Sequence, residues 1–114
     1  MKAGRELDAL IAEKVMGWWF YGPLGEYGVP GGKSDKNPEM VPNYSTSIAA
    51  ASLVAEKLRP NCDIYIEYHR SDYVICRIVD YSRKPEHLGN EPWAKAETAP
   101  LAICLAVKEW IERG

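Results

Sequence analysis

The sequence predicts a single α/β domain with three helices and a sheet centred on one antiparallel hairpin. The 114 residues are 46% hydrophobic, which suits one compact core. Two runs rich in tyrosine, isoleucine and valine, residues 62–69 and 73–81, are separated by the short polar turn Arg70-Ser71-Asp72. Helical periodicity or an unbroken apolar run marks three further segments, residues 3–16, 45–58 and 98–113.

The amino-terminal part is expected to be a helix followed by an aromatic run and a long loop. Residues 3–16 place Leu7 and Ile11 on one apolar stripe, and Gly17 suits the end of that helix. The aromatic run of residues 18–21 is interpreted as an aromatic cluster or as a short strand that extends the hairpin sheet. Residues 22–43 contain four prolines and five glycines, so we expect a long structureless loop of the kind that is functional or mobile.

Two further helices are predicted on either side of the hairpin. The second begins near Ser45 or Thr46, whose hydroxyls are good caps, and it ends at Leu58, before Pro60. The third follows Thr98 and contains an apolar run over residues 101–107. A helix with so little polar surface is expected to be the most buried of the three. It needs a neighbouring layer on each side, or a subunit contact.

The hairpin register follows from separating apolar from polar side chains. Pairing Ile66 with Cys76 puts nearly all of the apolar residues on one face, which we expect to meet the helices. The other face mixes aromatic and charged side chains: Asp63, Tyr65, Glu67, His69, Tyr73, Ile75, Arg77, Val79 and Tyr81. Residues 82–96 are expected to form a polar loop.

Charge and composition exclude several functional classes. A formal net charge of −2 and a pI near 5.7 argue against binding of long nucleic acid by phosphate neutralisation. The longest apolar stretch is far too short to span a bilayer, and residues 1–2 lead into a helix pattern and not into a signal peptide. We therefore expect a protein of the host-cell cytoplasm without a membrane partner. The odd number of cysteines, Cys62, Cys76 and Cys104, indicates buried reduced thiols.

Three segments together resemble the phage ABA sandwich domain family. They are RELDALIAEKVMGW at residues 5–18, PNYSTSIAAA at residues 42–51 with EKL at 56–58, and ETAPLAICLA at residues 97–106. The chain departs from the family pattern at Ser47, where an acid is usual, and at Ser52, where an aromatic is usual. The resemblance implies that residues 1–114 form one α/β/α layered sandwich of phage or prophage origin. It implies no catalytic residues.

No pattern in the sequence supports an enzyme. Gly31-Gly32-Lys33-Ser34 is not a P-loop, because Tyr27 stands where that motif needs its first glycine. Cys76 and His69 fall on opposite faces of the hairpin, so the histidine cannot activate the thiol. Neither the histidines nor the cysteines show metal-ligand spacing. We expect no catalytic residue, metal or cofactor.

Aromatic and arginine residues are the strongest functional signal. Aromatic rings stack on bases and arginine holds phosphates, so this composition suits a nucleotide-like anion. The same residue types are enriched at subunit interfaces, and composition does not separate the two cases. We predict a ligand site that includes Trp18, Tyr44, Arg77 and Arg83, in a homo-oligomer. The expected function is non-enzymatic sequestration of a nucleotide-derived signalling molecule of host anti-phage defence, cyclic nucleotides included. The alternative is a protein–protein interaction module that binds and blocks a host protein.

Overall fold

Three helices and two three-stranded antiparallel sheets make up the protein, as described by a computed structural model for residues 2–20, 27–30, 39–82 and 91–113. The mixed α/β architecture is consistent with an ABA sandwich, and the predicted three helices and hairpin-centred sheet are confirmed. In chain order the elements are α1 (Arg5–Lys14), β1 (Trp19–Phe20), β2 (Tyr27–Val29), β3 (Glu39–Met40), α2 (Ile48–Leu58), β4 (Cys62–His69), β5 (Tyr73–Asp80), β6 (Trp93–Ala96) and α3 (Ala99–Glu112).

The larger sheet has the order β4-β5-β6, and its hairpin has the predicted register. Ile66 lies opposite Cys76, so the apolar side chains of both strands share one face. On that inner face Cys76 and Ile78 are fully buried under the helices, whereas Tyr65 and Arg77 on the other face are exposed. The two-residue period of a strand thus separates a core face from a face open to solvent.

The prediction that residues 82–96 form a loop was wrong in its last part. Residues 93–96 are the strand β6, which pairs with β5 so that Trp93 lies opposite Arg77 and Ala96 opposite Val74. Ala94 and Ala96 point to the inner face and pack against the core, where α3 lies over β5 and β6. Small side chains at these positions let the helix come close to the sheet.

The expectations for residues 18–21 and 22–43 also need correction. Residues 19–20 form β1, but this strand belongs to a separate sheet of order β1-β2-β3 and does not extend the hairpin sheet. Within the segment expected to be structureless, β2 and β3 are strands. Gly28 is required at the β1–β2 contact, because a Cβ there would lie 2.7 Å from Cδ1 of Phe20. The expectation of a mobile or functional loop otherwise falls outside the described residues.

Helix α3 is the hub of the core. It packs against β5, β6, α1 and α2, and only Glu112 among its residues is exposed. Its fully buried residues are Ala102, Ile103, Cys104, Ala106 and Val107. This confirms the expected burial of the helix. Among the described helices, none has the length and apolar character that crossing a bilayer requires.

The ends of α1 and α2 are fixed by local hydrogen bonds. Helix α2 begins one residue later than expected, because Ser47 is its cap and accepts a hydrogen bond from Ala50 N–H at 3.3 Å. Ser45 has a different role: its N–H donates to Asp8 Oδ1 of α1 at 2.7 Å. Gly17 follows α1 with φ of 73°, a left-handed conformation that favours glycine.

Candidate functional site

The outer face of the β4-β5-β6 sheet carries the strongest concentration of aromatic and charged side chains. By strand alternation it consists of Asp63, Tyr65, Glu67, His69, Tyr73, Ile75, Arg77, Val79, Trp93 and Lys95, and this set is called the outer face below. Trp93 is 55% exposed, and the ring of Tyr65 is also open to solvent. A solvent-facing sheet normally presents small polar residues, so this surface is unusual for a face without a partner.

Arg77 lies at the centre of the outer face, between two aromatic rings. The strand register places Tyr65 opposite it on β4 and Trp93 opposite it on β6. The guanidinium carbon is 5.5 Å from the centroid of the Tyr65 ring, a distance at which a cation is attracted to the ring. This row combines a cation with two exposed aromatic rings, which together can bind a flat anion.

Glu67 is the acidic neighbour of this cation. Its Oε1 is 3.9 Å from Nη2 of Arg77, and its Oε2 is 3.3 Å from Nε2 of His69. All three side chains are partly exposed, so solvent screens the ion pair between Glu67 and Arg77. Arg77 is therefore not held in a strong buried salt bridge and can turn to another anion.

A second cluster lies along the same face towards the hairpin turn. The rings of His69 and Tyr73 are stacked, with centroids 4.5 Å apart and planes inclined by 17°. Lys95 reaches across from β6, and its ammonium is 4.1 Å from the centroid of Tyr73. The cationic groups of Arg77 and Lys95 thus each lie close to an aromatic ring, so the positive charge of the outer face is found beside its rings.

At the other end of the face, Asp63 accepts hydrogen bonds from two tyrosines. Tyr81 Oη donates to Asp63 Oδ2 at 2.6 Å, and Tyr65 Oη donates to the same oxygen at 3.4 Å. The hydrogen bond to Asp63 raises the pKa of Tyr81 to about 12, because ionising the phenol would place two negative charges side by side. Asp63 therefore orients rings and does not act as a free carboxylate.

Two of the concavities formed by the described residues are shallow. One of about 190 Å³ lies between the carboxyl ends of α1 and α2 and is lined by Lys14, Lys57 and Trp110, among others. The other, of about 330 Å³, includes Arg59, Asn61 and Tyr81. Pockets that enclose drug-sized ligands usually measure about 300–1,000 Å³. The first concavity is below this range, and the second is at its lower limit and open to solvent, so the outer face is the better candidate among the described residues.

The thiols are poorly suited to nucleophilic chemistry. Burial raises the pKa of Cys76 and of Cys104 to about 12, so both stay protonated near neutral pH. Cys76 is on the inner face and His69 on the outer face, as the register predicts. Within the ranges the structure describes, there is no group of three or more potential metal-ligating His, Cys, Asp or Glu residues.

Of the four residues predicted to form a ligand site, Trp18 and Tyr44 contact one another, but they do so in the core and away from Arg77. Tyr44 is only 2% exposed and belongs to the core, where the Trp18 side chain hydrogen-bonds it and burial raises the pKa of its phenol. Trp18 is half-buried against the same core. Arg77 lies on the opposite side of the sheet, and Arg83 is outside the described residues. Of the four, Arg77 alone is placed by the structure on the outer face.

Trp93 and Lys95 complete the site, and the sequence contains a signal for both. Residues 93–96, WAKA, alternate large or charged side chains with alanine. This two-residue period is typical of a strand with one face under a helix. A loop at residues 93–96 would not place Trp93 beside Arg77, so the loop prediction did not include this neighbour.

Comparison with known proteins places the fold in a phage context. Residues 9–107 match the phage ABA sandwich domain. Among solved structures, the chain is similar to a phage protein from Bacillus cereus ATCC 14579, with 25% sequence identity and a TM-score of 0.70. That similarity covers 96% of this chain and 88% of the other. A comparison with curated proteins gave no match. The domain match spans most of the sequence, and the chain belongs to the phage ABA sandwich domain family.

Proposed function

We propose that this phage-family protein binds and sequesters a small, anionic, nucleotide-derived molecule without converting it. The observation that carries the proposal is the row Tyr65–Arg77–Trp93 on the outer face. A guanidinium is a strong partner for phosphate, and exposed rings on either side of it offer stacking surfaces for a base. A nucleotide combines these two features in one molecule.

The non-enzymatic part of the proposal rests on the chemistry of the available groups. The carboxylates Asp63 and Glu67 are engaged by tyrosines and by cations, and two of the thiols are protonated at neutral pH. An engaged, solvated carboxylate is a poor general base, because its pKa lies far from neutrality unless burial raises it. The outer face is thus better suited to binding than to bond breaking.

Sequestration requires that the ligand be shielded from water, and the outer face is open. Tight-binding sites bury most of the ligand surface. A second copy of the chain provides such a cover, which is why a homo-oligomer is part of the proposal. The phage setting supplies a role, because a phage gains by removing nucleotides with which its host signals infection.

Calorimetry with a panel of linear and cyclic nucleotides tests the proposal. We expect saturable binding, and chromatography of ligand released by heating the complex should recover the molecule intact. Arg77→Ala should weaken binding by about tenfold or more, the usual scale for loss of a charged hydrogen-bond partner. Arg59→Ala is the control, since Arg59 is an exposed arginine paired with Glu56 at the carboxyl end of α2. No binding across the panel, or recovery of a hydrolysed product, would reject the proposal.

A protein–protein interaction module that blocks a host protein is the second candidate. It is favoured by the flatness of a three-stranded face rich in tryptophan, tyrosine and arginine, which are the residues that dominate interface energetics. Affinity capture from host lysate distinguishes the two functions. A host protein retained by the native chain and lost with Trp93→Ala would favour this second function over nucleotide capture.

A further inference from the structure

The free edge of β4 is a second unusual feature of the large sheet. In the order β4-β5-β6, β4 is a terminal strand of eight residues, and no strand among the described residues pairs with its other side. Long edge strands without a proline, a bulge or a lysine are templates for pairing with another chain. We propose that two copies of this chain pair through their β4 edges about a twofold axis, which makes one continuous six-stranded sheet.

The direction of the backbone groups fixes which residues take part. Tyr81 N–H donates to Asn61 O at 3.0 Å, and these two residues are opposite one another when the β4–β5 register is continued. Backbone groups alternate in direction along an antiparallel strand. The N–H and C=O groups of Ile64, Ile66 and Tyr68 therefore point away from β5 and towards the outer edge of β4.

The charges on β4 exclude two registers. They also allow centring on Ile64, and the Ile66 register is preferred because it covers exposed apolar surface. A twofold axis perpendicular to the sheet pairs residues symmetrically about a central residue. Centring on Tyr65 would put Asp63 opposite the partner's Glu67. Centring on Glu67 would put Glu67 itself opposite the partner's Glu67. Like charges directly opposite are unfavourable.

Centring on Ile66 removes both conflicts. Asp63 then lies opposite the partner's His69, and Tyr65 lies opposite the partner's Glu67. These pairs combine an acid with a histidine and an acid with a phenol donor, both of which are compatible across neighbouring strands. This register also makes about six main-chain hydrogen bonds, two from each of three paired positions.

The same register covers apolar surface that is exposed in one copy. Ile66 is 38% exposed and Tyr68 is 65% exposed, although both side chains lie on the inner face. The helices leave this end of β4 uncovered. In the dimer Ile66 contacts the partner's Ile66, and the ring of Tyr68 packs beside the partner's Ile64. Apolar burial is thereby added to the main-chain hydrogen bonds.

The pairing joins two outer faces and leaves both open, so the cover that ligand sequestration requires would come from a further copy at a different contact. Both copies present their outer faces on the same side of the joined sheet. The spacing between strands and the rise per residue place the Cα atoms of the two Arg77 residues about 16 Å apart. The edge pairing does not depend on what the outer face binds. Its test uses protein without any added nucleotide.

Disulfide trapping tests the register directly. All variants are made in a Cys76→Ala background, because Cys76 lies directly opposite Ile66 on β5 and would form an intramolecular disulfide with a thiol introduced there. In Ile66→Cys the two introduced thiols lie on directly paired residues of the two copies, about 5.5 Å apart between Cα atoms, within the range a disulfide spans. We expect mild oxidation to convert most of this variant to a covalent dimer. Tyr65→Cys and Glu67→Cys should form little dimer alone and should cross-link when mixed. The Cys76→Ala chain is the background control, because its two remaining cysteines are buried. Self-cross-linking of either control above that of Ile66→Cys, or no cross-linking in any variant, would overturn the proposal.

Sedimentation of the native chain gives an independent measurement. We expect a monomer–dimer equilibrium over micromolar to submillimolar concentrations, shifted to monomer by Ile66→Lys and unchanged by Met40→Lys, which changes an exposed apolar residue on β3. Ile66→Pro is a second variant, since it removes an N–H that points to the edge and not to β5. Circular dichroism confirms folding of each variant. A wild type that stays monomeric throughout this range would reject edge pairing.

Discussion

At the scale of single residues, the contact between Glu67 and Arg77 tests the proposed role of Arg77 in binding an anion. Glu67 lies 3.9 Å from the Arg77 guanidinium, so in the proposed complex it would compete with a phosphate for that group. Glu67→Gln should therefore raise affinity for a bound nucleotide by about two- to fivefold, the scale of an exposed ion pair. Calorimetry at low and high salt measures this, and added salt should reduce the difference. Glu56→Gln, which removes the partner of Arg59, is the control. An unchanged or weakened affinity would show that Arg77 does not contact the ligand.

Asp8 is a residue whose role became visible only in three dimensions. It is buried on α1 and accepts the hydrogen bond from Ser45 N–H, while Ser45 Oγ accepts from Gly4 N–H at 2.9 Å. Asp8→Ala should lower the free energy of unfolding by about 1–3 kcal/mol, because it leaves a buried N–H without an acceptor. Urea denaturation measures the change. Asp8→Asn keeps an acceptor oxygen and should lose less, and Glu13→Ala on the exposed side of α1 should change little. Equal losses for Asp8→Ala and Asp8→Asn would contradict this role.

Sequence reasoning placed Arg77 on the outer face but treated Tyr44 as a ligand residue. The difference has a physical reason. Arg77 belongs to a strand, whose alternation fixes the direction of every side chain. Tyr44 follows a proline-rich segment without any period, so only tertiary packing determines that its ring enters the core. Sequence could not predict that Tyr44 and Trp18 contact one another.

At the scale of elements, periodicity decided which strands could be predicted. The β4–β5 register was correct because eight residues on each strand alternate clearly between apolar and polar. Strand β6 was missed because it has only four residues, two of which are alanine, and alanine and lysine are depleted in strands. The short strands of the second sheet, two or three residues long, are defined by non-local pairing that leaves no pattern in sequence.

The assignment of β6 leads to a test with adjacent substitutions. Ala96→Leu adds a large side chain beneath α3 on the inner face, so overpacking should destabilise the fold by about 1–3 kcal/mol. Lys95→Leu makes the neighbouring change on the outer face, where Lys95 is exposed, and should change stability by about 0.5 kcal/mol or less. Thermal unfolding measures both. A loop at residues 93–96 would give no such alternation, so equal effects would argue against the strand.

At the scale of the whole molecule, α3 unites elements that are distant in sequence. It contacts the sheet through β5 and β6 and the other two helices through its remaining sides. An apolar run with no polar side predicted this position, because such a helix needs cover all round. Ala102 and Ala106 are fully buried, while Leu101 and Leu105 are only half-buried, since the smaller residues allow closer packing.

The central position of α3 makes Ile103 the most informative core residue to truncate. Ile103 is 1% exposed, so Ile103→Ala removes buried methyl groups and leaves a cavity that its neighbours fill only in part. The free energy of unfolding should fall by about 2–5 kcal/mol. Ile48→Ala is the matched control, because Ile48 is also helical but 50% exposed, and its loss should be about 0.5 kcal/mol or less. Chemical denaturation of both variants gives the two values from their midpoints and slopes. If Ile103→Ala proved no more destabilising than Ile48→Ala, α3 would not be the centre of the core, and the packing of the β4-β5-β6 sheet against the helices would need to be assigned differently.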